Sequence, residues 1–99
     1  MNFYKTTRWE EKRKRILKRD THLCQECKRY GKRREGTTVH HVNPLRERPD
    51  LRLTTWNLIS LCLTCHGKMH NRDTDELTAL GEQWRERVNR LRGDKDATS

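Results

Sequence analysis

Residues 57–70 read NLISLCLTCHGKMH, and this segment joins an apolar run to a cysteine pair and then to two histidines. The run at residues 58–61 is short and apolar, which is typical of a buried strand. Cys62 and Cys65 follow it at the spacing of a metal-binding knuckle. Residues 63–72 have a composition that suits a short helix. The segment therefore predicts a strand, a metal knuckle and a helix in immediate succession.

A second cysteine pair precedes this segment. Cys24-x-x-Cys27 and Cys62-x-x-Cys65 are separated by 34 residues. Four thiolates at these spacings can form the closed tetrahedral shell of a structural zinc site. The alternatives are a redox pair or two disulfides. A redox motif explains one pair only, and the chain has no βαβ pattern around either pair. The spacing therefore predicts one zinc ion held by all four cysteines.

Four histidines fall near these cysteines: His40, His41, His66 and His70. His66 and His70 are four residues apart, so they share one face of a helix and can bind one ion together. His40 and His41 are neighbours in a strand predicted at residues 37–42. Their side chains point to opposite faces unless the strand ends or bulges there. One of the two is then available for a metal ion, while the other meets solvent or substrate.

The composition is polar and basic. Hydrophobic residues make up 30% of the chain and charged residues 37%, and 23 Lys and Arg against 14 Asp and Glu give a formal net charge of +9. So short and polar a chain buries a limited apolar core, which favours stabilisation of the fold by a bound metal ion. The positive charge favours a polyanionic partner, first of all nucleic acid.

No run approaches the roughly 18–20 apolar residues of a membrane span, and the N-terminus lacks the apolar core of a signal peptide. We expect one cytoplasmic domain over residues 1–99, without a membrane partner.

A first flanking helix is predicted at about residues 6–20. Thr6 or Thr7 can cap its N-terminus, and its apolar stripe is thin. Its other face is a dense basic run, which a solvated surface and contact with a DNA backbone explain equally well. The run consists of Lys12, Arg13, Lys14, Arg15, Lys18 and Arg19.

A second flanking helix is predicted at about residues 75–92. Its apolar residues recur at spacings of three and four, which predicts packing against the core. They are Leu77, Leu80, Trp84, Val88 and Leu91. Asp73 followed by Glu76 has the pattern of a capping box. The tail at residues 93–99 is predicted to be disordered.

The central motif at residues 24–72 resembles, over about residues 24–70, the signature of the HNH endonuclease family. The matching residues are His40, His41, Val42, Pro44 and Leu45, then Asn57, Leu58, Ile59 and Leu61, and finally Cys62, Cys65, His66 and His70. They are most similar to the small phage and bacterial members that carry a four-cysteine zinc site. The resemblance implies a small α+β fold, built on a ββα-metal motif with a four-cysteine structural zinc and flanked by N- and C-terminal helices. Residues 46–52 depart from the Gly-rich loop of many members.

The resemblance also assigns roles to individual residues. His40 and His66 would be ligands of a catalytic metal ion. His41 would be the general base that takes a proton from the attacking water, and Asn57 would hold the loop and orient that base. His70 matches a position that is a metal ligand in some members and contacts phosphate in others.

The activity implied is metal-dependent hydrolysis of phosphodiester bonds in DNA, by nicking or by double-strand cutting. The ion would be Mg²⁺, Mn²⁺, Ni²⁺ or Zn²⁺, and imidazole ligands favour the transition metals. Small phage members are encoded near packaging genes, which implies terminase subunits as further partners in an infected bacterial cell. Other members are homing or restriction enzymes. Proximity to the motif indicates three phosphate-binding residues: Arg46, Lys68 and Arg72.

Two other functions are compatible with parts of the pattern. A zinc-stabilised nucleic-acid-binding module without catalysis explains the charge and the cysteines equally well. It does not explain why His41 and Asn57 occupy positions of the HNH signature. A zinc-stabilised interaction protein, for example in phage assembly, predicts no salt-dependent affinity for DNA.

Overall fold

A two-stranded antiparallel sheet lies at the centre of the protein. The computed structural model describes the backbone of residues 2–98 and the side chains of residues 2–92. The sheet consists of β1 (Thr38–His41) and β2 (Leu58–Leu61). Its register pairs the last residue of β1 with the first of β2 and the first of β1 with the last of β2. Both predicted strands are confirmed, although β1 is shorter than the 37–42 expected.

Helices surround this sheet, as the α+β prediction requires. They are α1 (Thr7–Arg19), α2 (Gln25–Arg29), α3 (Leu63–Gly67) and α4 (Ala79–Thr98). Short 3-10 turns lie at Phe3–Lys5, Pro49–Leu51 and Thr55–Asn57. None of the described helices combines the length and the apolar character that a membrane span needs.

The first flanking helix begins and ends close to its predicted limits. The Thr6 side chain accepts a hydrogen bond from the Trp9 amide at 3.2 Å, which is the expected N-terminal cap. Only Trp9, Ile16 and Leu17 are buried along α1, so the apolar stripe is as thin as predicted.

The second flanking helix begins later than predicted. Residues 71–78 form a turn that brings Leu77 beside His70 in an isolated antiparallel bridge, and Asp75 adopts a left-handed φ of 62°. A helix cannot pass through this turn. The side chain of Thr78 accepts the Gly81 amide and so caps α4 in place of the predicted Asp73 and Glu76.

At its far end, the backbone of α4 is described as far as Thr98. The predicted disorder of residues 93–99 stays a prediction, because Ser99 and the side chains of residues 93–98 lie outside the described residues. Trp84 is buried, and Leu80 and Val88 pack against the core as predicted. Leu91 is 57% exposed, so the apolar stripe ends one turn earlier than the periodicity indicated.

The sheet divides the core into two parts, because side chains alternate between its faces. One part includes Ile59 and Leu61 with the four cysteines, Met69 and Trp84. The other joins Val39 and Leu58 to the buried side of α1. The two faces of one short hairpin are therefore covered by different elements.

Gly81 allows α4 to approach the chain that follows α3. A Cβ atom at this position would lie 2.5 Å from the Met69 carbonyl oxygen and 2.9 Å from Leu77 Cδ2. The carbonyl belongs to the backbone and already accepts the Thr78 amide at 2.9 Å, so it cannot rotate away. The packing therefore requires glycine at this position, although glycine within a helix is less stable than alanine.

We expect Gly81→Ala to lower the free energy of unfolding by about 1–3 kcal/mol, because the methyl group overpacks this contact. Gly67→Ala is the matched control, since a Cβ there meets no atom within 4 Å. Denaturant unfolding of both variants, prepared with equal metal content, measures the difference. Equal stabilities for the two variants would contradict the close approach of α4.

Candidate functional site

The four cysteines converge on one point between α2 and α3. Cys24 and Cys62 each precede a short helix, and each sulfur accepts the amide of the second cysteine of its pair at 3.5 and 3.4 Å. All four side chains are buried and unoxidised, with their sulfurs within 4.8 Å of one another. The two pairs therefore form one four-cysteine cluster, as their spacing predicts.

The sulfur separations fit a tetrahedral metal ion better than a disulfide. Cys27 Sγ lies 4.0 Å from Cys62 Sγ and 3.7 Å from Cys65 Sγ. A disulfide requires about 2.0 Å, whereas four thiolates at the ~2.3 Å of a zinc–sulfur bond lie about 3.8 Å apart. The donor set and its geometry suit a closed metal site.

A second cluster is formed by three histidines on the same side of the sheet. His40 projects from β1, His66 from α3, and His70 from the bridge that follows α3. Their potential ligand nitrogens all lie within 4.8 Å of one another. We name His40, His66 and His70 the three-histidine cluster. α3 ends at Gly67, so the prediction that one helix carries both His66 and His70 is wrong, although the turn after α3 keeps the two rings together.

His40 is the most enclosed member of the cluster. It is 1% exposed, and its Nε2 has no hydrogen-bond partner. Burial, with the nearby His66 and His70 adding repulsion, lowers the pKa of His40 to about 3. Burial likewise lowers the pKa of His66. The neutral rings offer lone pairs, and an unpaired buried nitrogen is costly unless it has a ligand.

His41 lies on the opposite face of β1, as the alternation predicts. Its ring stacks on the Trp9 indole with centroids 5.1 Å apart and an interplanar angle of 18°. Its Nε2 bonds the Arg52 carbonyl oxygen at 3.0 Å. Burial lowers the pKa of His41, and this hydrogen bond partly opposes the shift. Trp9 is a buried residue of the thin apolar stripe of α1, and nothing in the helical pattern indicates that its partner is His41.

Asn57 is fully buried and holds the loop between the strands. Its Oδ1 accepts the Asn43 amide at 2.8 Å, and its Nδ2 donates to the carbonyl oxygens of Asn43 and Leu51 at 3.2 Å each. Leu51 immediately precedes Arg52, whose carbonyl contacts His41. Asn57 thus reaches His41 through the backbone of the loop, not by direct contact.

Two asparagines that were not predicted to belong to the site, Asn43 and Asn89, extend this network. Asn43 Nδ2 donates to Asn57 Oδ1 at 2.9 Å, and the Asn43 and Asn89 side chains exchange two hydrogen bonds of 2.9 and 3.0 Å. Asn43 is 3% exposed. The contact between Asn43 and Asn89 connects α4 to the loop. In the sequence, the only indication of it is that Asn43 is a polar residue between a predicted strand and Pro44.

Both histidine sites open into one cleft of about 670 Å³. Of the three predicted phosphate-binding residues, only Arg46 lines it. Lys68 and Arg72 are exposed outside the cleft, because the chain turns away after α3. The walls instead include three residues not predicted to belong to the site, namely Tyr4, Arg13 and Asp75.

Comparison with known proteins agrees with this arrangement. The family model described as HNH endonuclease matches residues 24–72. The chain is also similar to the HNH endonuclease of the deep-sea thermophilic bacteriophage GVE2, whose crystal structure was determined with manganese ion. The identity is 38%, the alignment covers 66% of this chain and 71% of that chain, and the TM-score is 0.64. No curated protein sequence matches. With its sheet, its clusters and this relative in agreement, the chain belongs to the HNH endonuclease family.

Proposed function

We propose that this protein hydrolyses phosphodiester bonds of DNA in a metal-dependent reaction at the cleft. The observation that carries the proposal is the position of His41 next to the three-histidine cluster, on adjacent residues of one strand and in one cleft. The net charge of +9 suits a polyanionic substrate. A binding module without catalysis has no need of this arrangement.

The three-histidine cluster would hold the catalytic ion. The unpartnered Nε2 of buried His40 and the closeness of the three rings fit such a ligand set. When bound, a divalent ion polarises the scissile phosphate and offsets charge on the leaving oxygen. Three imidazoles favour a transition metal over Mg²⁺. We favour Mn²⁺, because the similar phage protein was crystallised with manganese, and retain Ni²⁺ and Zn²⁺ as alternatives.

His41 would act as the general base. The Arg52 carbonyl can only accept a hydrogen bond, so Nε2 of His41 carries the proton. A neutral imidazole holds one proton, which leaves Nδ1 as the acceptor for a proton from water. The stack on Trp9 and the bond to Arg52 fix the ring in this orientation. Asn57 and Trp9 are positioning residues in this scheme, since each acts through His41.

The four-cysteine cluster would hold a structural zinc ion. Its four buried sulfurs leave no open coordination position, unlike the histidine cluster. Cys65 and His66 are consecutive on α3, so one helix would connect the two metal sites. The structural ion would then keep His66 in place for the catalytic one.

The biological setting we propose is phage DNA processing in the bacterial cytoplasm. Similarity to a bacteriophage protein supports the phage origin, and assistance to the terminase rests on the family resemblance alone. Copurification with phage terminase subunits would test it. Cleavage without any such association would favour an independent nuclease.

Cleavage of supercoiled plasmid with Mn²⁺, Mg²⁺, Ni²⁺ and Zn²⁺ tests the catalytic proposal. We expect the wild type to cut, fastest with a transition metal. His41→Ala should reduce the rate by about 100-fold or more, because general-base catalysis contributes roughly 10²–10⁴-fold. DNA affinity should change little. A wild type that binds plasmid but never cuts it would support the binding-module alternative, and equal cutting by both proteins would refute the base assignment.

Replacement of Trp9 tests the positioning of His41. We expect Trp9→Leu to lower kcat by roughly three- to tenfold with little change in KM, since ring stacking is worth about 0.5–1.5 kcal/mol. Trp9→Phe keeps a stacked ring and should recover most of kcat. Rates are measured below the unfolding temperature of each variant. Equal kcat values for the Leu and Phe variants would show that Trp9 serves packing alone.

Metal analysis tests the cysteine site. Purified protein should contain about one zinc ion per chain that resists a mild chelator. Cys27→Ser should lose this ion and unfold at a lower temperature, because three thiolates and a hydroxyl bind zinc more weakly. His66→Ala is the control, since it removes a ligand of the other cluster and should keep the resistant zinc. Loss of that zinc from both variants would mean that the two sites are not separate.

A further inference from the structure

Arg13 is a cation on the wall of the cleft. It projects from α1, and one guanidinium nitrogen donates to the Thr37 carbonyl oxygen at 2.7 Å, next to the start of β1. This bond fixes the group while leaving other N–H donors available. Among the described residues no carboxylate pairs with Arg13. By contrast, Arg19, Arg29, Arg48 and Arg85 each pair with a carboxylate.

The rest of the basic run on α1 does not reach the cleft. Lys12 donates to the Thr55 hydroxyl at 3.0 Å, and Arg19 donates to the Leu58 carbonyl at 2.7 Å, so both contact the β2 side of the sheet. The remaining members are exposed and line no part of the cleft: Lys14, Arg15 and Lys18. The structure thus singles out Arg13 from six basic residues that the sequence could not distinguish.

The cleft follows the unpaired edge of β1. Residues 37–41 all line it, whereas no residue of β2 does. The Thr37 carbonyl that accepts Arg13 therefore lies on this edge, outside the sheet hydrogen bonds. Arg46 lines the same cleft from the loop after β1.

The register shows which backbone groups face this edge. The Ser60 amide and the Leu58 carbonyl both bond to side chains from the end of α1, on the outer side of β2. Cross-strand partners in an antiparallel pair turn their backbone groups either toward each other or both outward. Val39 pairs with Ser60 and His41 with Leu58, so their amides point outward at the β1 edge.

We propose that Arg13 and the outward amide of Val39 bind a second phosphate of the DNA strand, adjacent to the phosphate at the three-histidine cluster. The inference rests on the proposed nuclease function and extends its substrate contacts. Guanidinium groups and backbone amides commonly donate hydrogen bonds to phosphate oxygens. A free strand edge can also pair with a protein segment. Among the described residues neither Arg13 nor Arg46 forms an ion pair, and these two cations outnumber the one carboxylate of the cleft wall, Asp75, which favours a polyanion instead.

The salt dependence of DNA binding tests this site. Affinity for a short duplex is measured over a range of salt concentrations, in a His41→Ala background and without added divalent metal, so that cleavage is slow. We expect Arg13→Ala to weaken binding about tenfold at low salt, as loss of a charged hydrogen bond implies. The slope of log affinity against log salt should fall by about 1, the contribution of one phosphate contact. Arg15→Ala removes the same charge from α1 outside the cleft and should leave the slope unchanged.

Two further variants separate phosphate binding from support of the fold. Arg13→Gln keeps an N–H donor for the Thr37 carbonyl but removes the charge, so it should bind as weakly as Arg13→Ala. Arg13→Lys keeps the charge and should retain the wild-type slope. Recovery of binding in the Gln variant, or an equal loss in Arg15→Ala, would overturn the proposal.

The plasmid assay distinguishes a failure of this inference from a failure of the proposed function. A wild type that cuts DNA, with an Arg13→Ala slope equal to that of the unsubstituted background, would refute the second phosphate site alone. A wild type that never cuts, with the reduced slope present, would refute the nuclease proposal and leave Arg13 as a phosphate contact.

Discussion

The alternation of side chains along β1 is the constraint on which the arrangement of the site depends. Two adjacent histidines in an extended strand must face opposite sides of the sheet. His40 therefore enters the three-histidine cluster, while His41 stacks on Trp9 of α1. Because the period of a strand is two residues, a slip of one residue in register would exchange the two histidines between the faces. The pairing of His41 with Leu58 thus has to be specific.

Polar contacts help to hold this register. The buried side chains of Asn43 and Asn57, together with the exposed Asn89, join the end of β1, the loop between the strands and α4 into one network. At the other edge, the Asp20 carboxylate accepts the Ser60 amide at 2.9 Å. Buried polar groups are costly when unpaired, so a network that satisfies them specifies one arrangement of the chain. A small protein with 30% hydrophobic residues gains specificity in this way.

The sequence by itself determined the fold class and the grouping of metal ligands. Two CxxC pairs can close around one ion only if α2 and α3 are brought together, and the cysteine cluster confirms this. The β-branched run before His40 and the apolar run after Asn57 predicted the two strands. The spacing of His66 and His70 indicated a shared site on one helix, and the turn that follows α3 keeps the two rings together although the helix ends at Gly67. These inferences depend on the spacing of residues along the chain, which can be read directly from the sequence.

Only the tertiary structure decided which long-range contacts surround those ligands. The partner of Trp9, the path from Asn57 to His41 through Leu51 and Arg52, and the approach of Gly81 to Met69 join residues far apart in sequence. The same holds for the basic residues: Arg13 reaches the cleft, whereas Lys68 and Arg72 do not. The capping pattern at Asp73 failed as a prediction because the bridge between His70 and Leu77 overrides local helix preference. Contacts of this kind arise from packing, and no local pattern specifies them.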